Sequence, residues 1–414
     1  MGFGMKRRTF AAAALGLGGS VLGAGVQAQD RWGASQGYPT GWGPVGQRQR
    51  WEGYTQYHVG NFSGGIETML AHTHVRAGGN PSVLRPAPRR IRFNLLADPS
   101  DHASRNNLTG LLIARNDEIW HEEYRFQRTP DMRFFGWSMT KTVVGLLAGI
   151  ALDQGTIRGL DDRIDTYVPA LAGHPFADLT LRNLLNMTSG INICEAFCAP
   201  DNGFERYGYS QIGYSPRRGE GTDQIQGVLD FRWGRSEPQG TRFNYTDLNP
   251  VLLAWVLESA YRQPLARIAQ THLWQPMGAE ADATWLTDSK GFTFSGAGVS
   301  ATLRDWARLG LLVAHEGVVN GRQVVPKAWI DETVRHAEKD QAARFNVARP
   351  GRGYRNYFWH HSSGGQILRM AGALGQNVLI DRKSRTVLVQ TSVGPESGSD
   401  EMMSALFAAA CGMS

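Results

Sequence analysis

Between Thr142 and Leu152 the chain carries no charged side chain and, after Thr142, no polar one. A helix of that composition has no face to offer water, so the fold must wrap it on every side. Lys141 stands at its head, with Ser138 three residues earlier. Positions i and i+3 share a helix face, which brings the ammonium alongside the hydroxyl. Burying a lysine is costly unless it has a partner or a task. Activating a serine is such a task, because the hydroxyl is a poor nucleophile until a neighbouring base takes its proton. A bare S-x-x-K arises about once or twice by chance in a chain of this length, so the pair has to be judged by its context.

The bulk numbers, 42% hydrophobic and 19% charged over 414 residues, fit a soluble globular protein of one large domain or two intimate ones. The net charge of +6 falls to +3 without residues 1–28. No basic run or basic-aromatic stripe marks a nucleic-acid surface. Residues 1–28 read as an export signal: Lys6-Arg7-Arg8-Thr9-Phe10, a Gly/Ala-rich apolar stretch from Ala11 to Val26, then small residues up to a cleavage point near Ala28. The paired arginines resemble the twin-arginine signature, and the stretch is too short and glycine-rich for a stable membrane span. A periplasmic or secreted mature protein is expected. Cys194 and Cys198 are close enough to pair there, leaving Cys411 single. Neither cysteine spacing nor the pairs His72/His74 and His360/His361 supply a third ligand, so no metal site is expected.

Along the chain, residues 29–107 read as an N-terminal arm and linker, with regular structure from about Leu108. Asn116-Asp117 separates two strand-like runs and predicts a β-hairpin. Helices are expected at Thr180–Met187, Leu248–Tyr261, Thr302–His315, Pro326–His336 and Glu401–Ala410, and strands at Gln366–Met370, Gln376–Asp381 and Thr386–Ser392. Residues 194–240 lose aliphatic periodicity and carry many aromatics, which fits either a substrate cover or a structural flap. Strands at both ends with helices between them predict an α+β fold. One antiparallel sheet is built from the two termini and flanked by helices, with a mostly helical insertion at about 156–340.

Three elements in order resemble the serine β-lactamase/transpeptidase family on its class C side: Ser138-x-x-Lys141, then Phe243-Asn244-Tyr245-Thr246-Asp247, then Met370-Ala371-Gly372-Ala373 on a late strand. Leu181–Gly190, Leu273–Gly278 and Ser300–Gly310 resemble the branch of 6-aminohexanoate-dimer hydrolases and related esterases. The likeness spans about Leu111 to Ser392, within a hydrolase domain of 108–414. It implies Ser138 as nucleophile, Lys141 as its basic partner, Tyr245 as a second proton carrier, and the backbone N–H groups of Ser138 and Ala373 as oxyanion donors. It implies cleavage of a small-molecule amide or ester through an acyl-serine, with no cofactor.

Two departures bear on specificity. The tyrosine motif ends in Asp247 where β-lactamases and D,D-peptidases have asparagine. Their late strand carries Lys or His followed by Thr/Ser-Gly, whereas Met370-Ala371-Gly372 has neither cation nor hydroxyl. Arg369, next along a strand, is expected on the opposite face. A β-lactamase or D,D-peptidase is therefore the second reading, and a non-catalytic binding protein of the same fold the third. Burial is expected to lower the pKa of Lys141, and nearby positive charge that of Tyr245. Asp247 either bonds Lys141 or caps the following helix, with the cap favoured.

Overall fold

The long strands assemble into one eight-stranded sheet, in the order Tyr354–Arg355, Phe358–His360, Ile367–Gly372, Gln376–Asp381, Thr386–Ser392, Leu108–Arg115, Glu118–Tyr124, Arg85–Pro86. All neighbours are antiparallel except the two-residue edge strand Arg85–Pro86, which runs parallel to Glu118–Ile119. The hairpin over 108–124 thus pairs with the last of the described strands, Leu112 opposite Val389. The computed structural model describes residues 66–68, 70–88, 98–191, 223–231, 234–335, 353–361, 366–393 and 399–412. Residues 1–28, expected to be an export signal, residues 29–65 of the expected arm and linker, and the Cys194/Cys198 pair lie outside them.

Strand Leu108–Arg115 explains its own composition. Leu111 and Ile113 face one core while Leu112 and Ala114 face another. A strand buried on both faces reads as a continuous apolar run rather than an alternation. On one face the terminal helices Pro99–Arg105 and Ser399–Gly412 contribute Ala103, Met403, Leu406 and Phe407. On the other lies helix Leu303–Ala314, N-capped by Thr302, whose hydroxyl accepts from Asp305 N. Beyond that helix the main core continues into the helical region, where helix Met139–Asp153 is buried from Met139 to Ala151.

Two expectations need correction. Regular structure begins well before Leu108: strand His72–Val75 pairs with Ala283–Leu286, and helix Pro99–Arg105 opens on an Asp98 cap. His72–Val75 belongs to a second, four-stranded sheet that also holds Val299–Ala301 and Phe134–Phe135. Strands of two to four residues carry too few positions to show a period. Nor are residues 194–240 without elements, since Gln224–Asp230 is a helix capped by Asp223. Phe231, which follows it, is a core side chain packed on Phe176 at 5.2 Å between ring centroids. Phe197, Phe204, Tyr207, Tyr209, Tyr214 and Trp233 lie outside the described residues. No helix among the described residues is long and apolar enough to cross a membrane.

Candidate active site

The second sheet delivers the serine. Strand Phe134–Phe135 pairs with Ser300 and Ala301, and Gly136 N donates to Val299 O at 2.9 Å. Trp137 then takes a positive φ of 50°, an uncommon conformation for a bulky residue, and turns the chain into helix Met139–Asp153. Ser138 sits at that turn, only partly buried, while Lys141 one helical turn on is 1% exposed. Lys141 Nζ donates to Ser138 Oγ at 2.9 Å and to the Gly296 carbonyl at 2.8 Å. The i, i+3 spacing does place amine and hydroxyl together.

Tyr245 completes the set, its ring centroid 4.7 Å from Lys141 Nζ. The segment carrying it is tied to the helical region by Asn244, whose backbone N–H reaches Met187 O at 2.7 Å and whose side chain reaches Ile191 O at 2.8 Å. The ring is walled by Phe243, Tyr354 and Trp359, the last stacked at 5.8 Å. Burial raises the phenol above its ordinary value, and Asp247 adds to the rise; the Lys141 charge and side-chain hydrogen bonds with Ser138 and Lys141 pull the other way. The net direction is upward, against expectation, because burial of the phenol outweighs the neighbouring cation.

Of the two roles open to Asp247, the structure shows the less favoured one, the bond to Lys141. Asp247 occupies the N-cap position of helix Leu248–Tyr261, yet its side chain makes no capping hydrogen bond. Thr246 Oγ1 accepts from Leu248 N instead, at 3.2 Å. The Asp247 carboxylate turns inward and pairs with Lys141. A neighbouring anion favours the charged ammonium, which opposes the effect of burial on that lysine.

Gly296 was not singled out from sequence, and its role explains why. A Cβ at that position would overlap the Asp247 carboxylate, so only glycine can present its carbonyl to Lys141 while admitting Asp247 beside it. The signal is an absent side chain. Thr140, also unremarked, fixes the backbone leading into strand Val299–Ala301: its buried hydroxyl accepts from Gly298 N at 3.0 Å and Val299 N at 3.1 Å.

Strand Ile367–Gly372 ends against the serine turn. A Cβ on Gly372 would overlap the Gly136 carbonyl oxygen and come within 3.0 Å of Trp137 Cβ. That close approach brings Ala373, the next residue, to the turn holding Ser138. Met370 is buried in the main core, and Arg369 donates to Asn377 Oδ1 at 2.7 Å. No cation stands at the Met370 position. The histidine pairs take ordinary partners: His72 Nδ1 bonds Leu70 O, His360 bonds Thr333 O and His361 bonds Ser404. Among the described residues no group of three or more His, Cys, Asp or Glu is arranged to hold a metal. Cys411 is a free thiol, pushed up to about 11 by burial.

The Beta-lactamase family model matches residues 108–410. The chain belongs to that family. A 6-aminohexanoate-dimer hydrolase of Paenarthrobacter ureafaciens is 28% identical over 319 residues, 75% of this chain and 80% of the relative. Among solved structures, a Bacillus anthracis protein assigned as a 6-aminohexanoate-dimer hydrolase superposes with a TM-score of 0.76 at 20% identity, covering 89% of this chain and 97% of its own. EstCE1, a hydrolase with promiscuous acyltransferase activity, gives 0.59 at 17% identity over 76% of this chain and 96% of its own. At such identities the structural likeness speaks for the fold. By its family match this chain is a β-lactamase-fold hydrolase, and the sheet built from both termini is that fold's.

Proposed function

We propose that the protein is an exported serine hydrolase that cleaves amide or ester bonds of small molecules through an acyl-serine intermediate. The observation that carries this reading is the Lys141 amine 2.9 Å from the Ser138 hydroxyl in a niche closed by Tyr245. Ser138 attacks the scissile carbonyl and gives up its proton to the Lys141–Tyr245 pair; one member returns a proton to the departing amine or alcohol. The oxyanion that forms is met by the backbone N–H groups of Ser138 and Ala373. Ser138 precedes the helix, where the first N–H groups have no intrahelical acceptor and are available to a ligand. Water then cleaves the acyl-enzyme on the same proton relay.

Two features favour an amide or ester with no carboxylate next to the scissile bond over a β-lactam or a peptidoglycan stem. The late strand offers buried Met370 where a cation would hold a substrate carboxylate, and Arg369 is engaged with Asn377 on the strand's other face. The similarity to the Paenarthrobacter ureafaciens hydrolase argues for linear amides of that type as a substrate class to test. Export rests on residues 1–28 alone and puts the enzyme in the periplasm or outside the cell.

The test is a panel of p-nitrophenyl esters, linear 6-aminohexanoate amides and cephalosporins, run on wild type and Ser138→Ala. The reading expects ester or amide turnover by wild type, none by the variant, and cephalosporins hydrolysed poorly. Rapid labelling and turnover of a fluorescent penicillin would favour the β-lactamase reading. Wild type that neither cleaves the esters nor reacts with fluorophosphonates would favour a binding protein.

A further inference from the structure

Lys141 and Asp247 are 1% and 4% exposed, so the site contains a desolvated ion pair as well as a nucleophile and its base. Keeping such a pair is expensive, since each ion loses its water, and breaking it by removing one partner leaves an unpaired buried charge. The surroundings are shaped around it. Gly296 clears the volume that the carboxylate fills, and Thr140 fixes the backbone just beyond by accepting from Gly298 and Val299. Thr246 takes over the helix cap that an aspartate in this position would otherwise supply. Asp247 is thereby released to face Lys141.

An ammonium has no lone pair with which to receive the serine proton. With Asp247 beside it, Lys141 must first give one proton to water, and the carboxylate makes that loss harder. We propose that Asp247 is a positioning residue that clamps the Lys141 amine against Ser138 and the Gly296 carbonyl and fixes the pH below which the site cannot accept the serine proton. The proposal rests on the acyl-serine reading above. Facing the pair are the Ser138 hydroxyl, the Gly296 carbonyl and the Tyr245 phenol. The phenols of Tyr354 and Tyr357, from the hairpin at 354–360, are also charge-coupled to Asp247. Because Asp247 holds the Tyr245 phenol up as well, the sign of the effect is the same whichever of the two receives the proton. Removing the negative charge makes either group easier to deprotonate.

The experiment is the pH profile of kcat/KM between pH 5 and 10 for p-nitrophenyl butyrate, an ester that does not itself ionise, with wild type, Asp247→Asn and Ser138→Ala. Asparagine keeps the shape and removes the charge. The acid limb of Asp247→Asn should move to lower pH by about one unit or more, so that at the foot of the wild-type limb it retains about tenfold more of its own plateau rate. A limb unmoved in the active variant overturns the proposal, as does a folded variant inactive across the whole range. If Asp247→Asn fails to fold, Asp247→Ser carries the same test. If neither folds, the wild-type profile decides: an acid limb near neutral or above supports the clamp, and one below about pH 6 overturns it. Turnover surviving in Ser138→Ala would instead sink the acyl-serine reading itself, so the two failures are distinct.

Discussion

Gly372→Ala tests whether the end of the late strand is held against the serine turn for catalysis. Gly372 has ordinary extended backbone, φ −127° and ψ 158°, so alanine strains no dihedral there. The obstacle is space. The new methyl would overlap the Gly136 carbonyl oxygen and lie 3.0 Å from Trp137 Cβ and 3.1 Å from Gln376 Cβ. To regain ordinary contact the strand end must retreat by about 1 Å. Ala373 N–H then leaves the window of about 2.7–3.1 Å in which a donor stabilises an oxyanion, and losing one such donor costs about 3 kcal/mol of barrier. Stopped-flow and steady-state hydrolysis of p-nitrophenyl butyrate should show kcat/KM down about 100-fold. Most of the loss should fall in kcat, because the donor acts on charge that exists only in the transition state. Overpacking should also cost about 1–3 kcal/mol of stability, read by urea unfolding. A folded variant with kcat/KM within about threefold of wild type would refute the reasoning.

Three further outcomes follow from the same geometry. Tyr245→Phe keeps the packing on Trp359 but removes the phenol, so kcat should fall about 100- to 10,000-fold with stability unchanged or slightly higher; a loss under about fivefold would remove Tyr245 from the proton relay. Thr140→Val leaves two buried N–H groups, those of Gly298 and Val299, without their acceptor and should cost about 1–3 kcal/mol in urea unfolding, with equal midpoints counting against that role. Glu258, whose carboxylate accepts from Leu265 N at 2.7 Å, is pushed up to about 7 by burial, from an ordinary 4.5. Between those values the folded state keeps a proton that the unfolded state has released, so this group's contribution falls as pH rises through that window. Glu258→Gln should therefore gain stability relative to wild type from pH 5 to pH 8, and parallel stabilities at both pH values would contradict the assignment.

The parts of the fold legible from sequence were those with length enough to show a period. Gln376–Asp381, Thr386–Ser392 and Leu248–Tyr261 have the predicted bounds, and the Asn116-Asp117 hairpin forms with Asn116 at a positive φ of 55°. The strands His72–Val75 and Val299–Ala301 were not legible, because three or four positions show no period, and long-range pairings such as His72 with Leu286 and Phe134 with Ala301 leave no local trace. At the candidate site, the contact of Ser138 with Lys141 was readable from their i, i+3 spacing, whereas Tyr245 was placed beside them only through the resemblance of Phe243-Asn244-Tyr245-Thr246-Asp247 to the family's tyrosine motif. Gly296 contributes a carbonyl and a missing Cβ, and neither has a sequence signature. Asp247 was ambiguous because an aspartate before a helix has a strong local explanation, and only the tertiary partner Lys141 overrides it.

The most direct test of the account is where the acyl group goes. Wild type mixed with a slowly deacylating ester or a fluorophosphonate, quenched in acid and mapped by peptide mass spectrometry, should carry one adduct on Ser138. Ser138→Ala should carry none and turn nothing over. An adduct on another residue, or undiminished turnover by Ser138→Ala, would contradict the account.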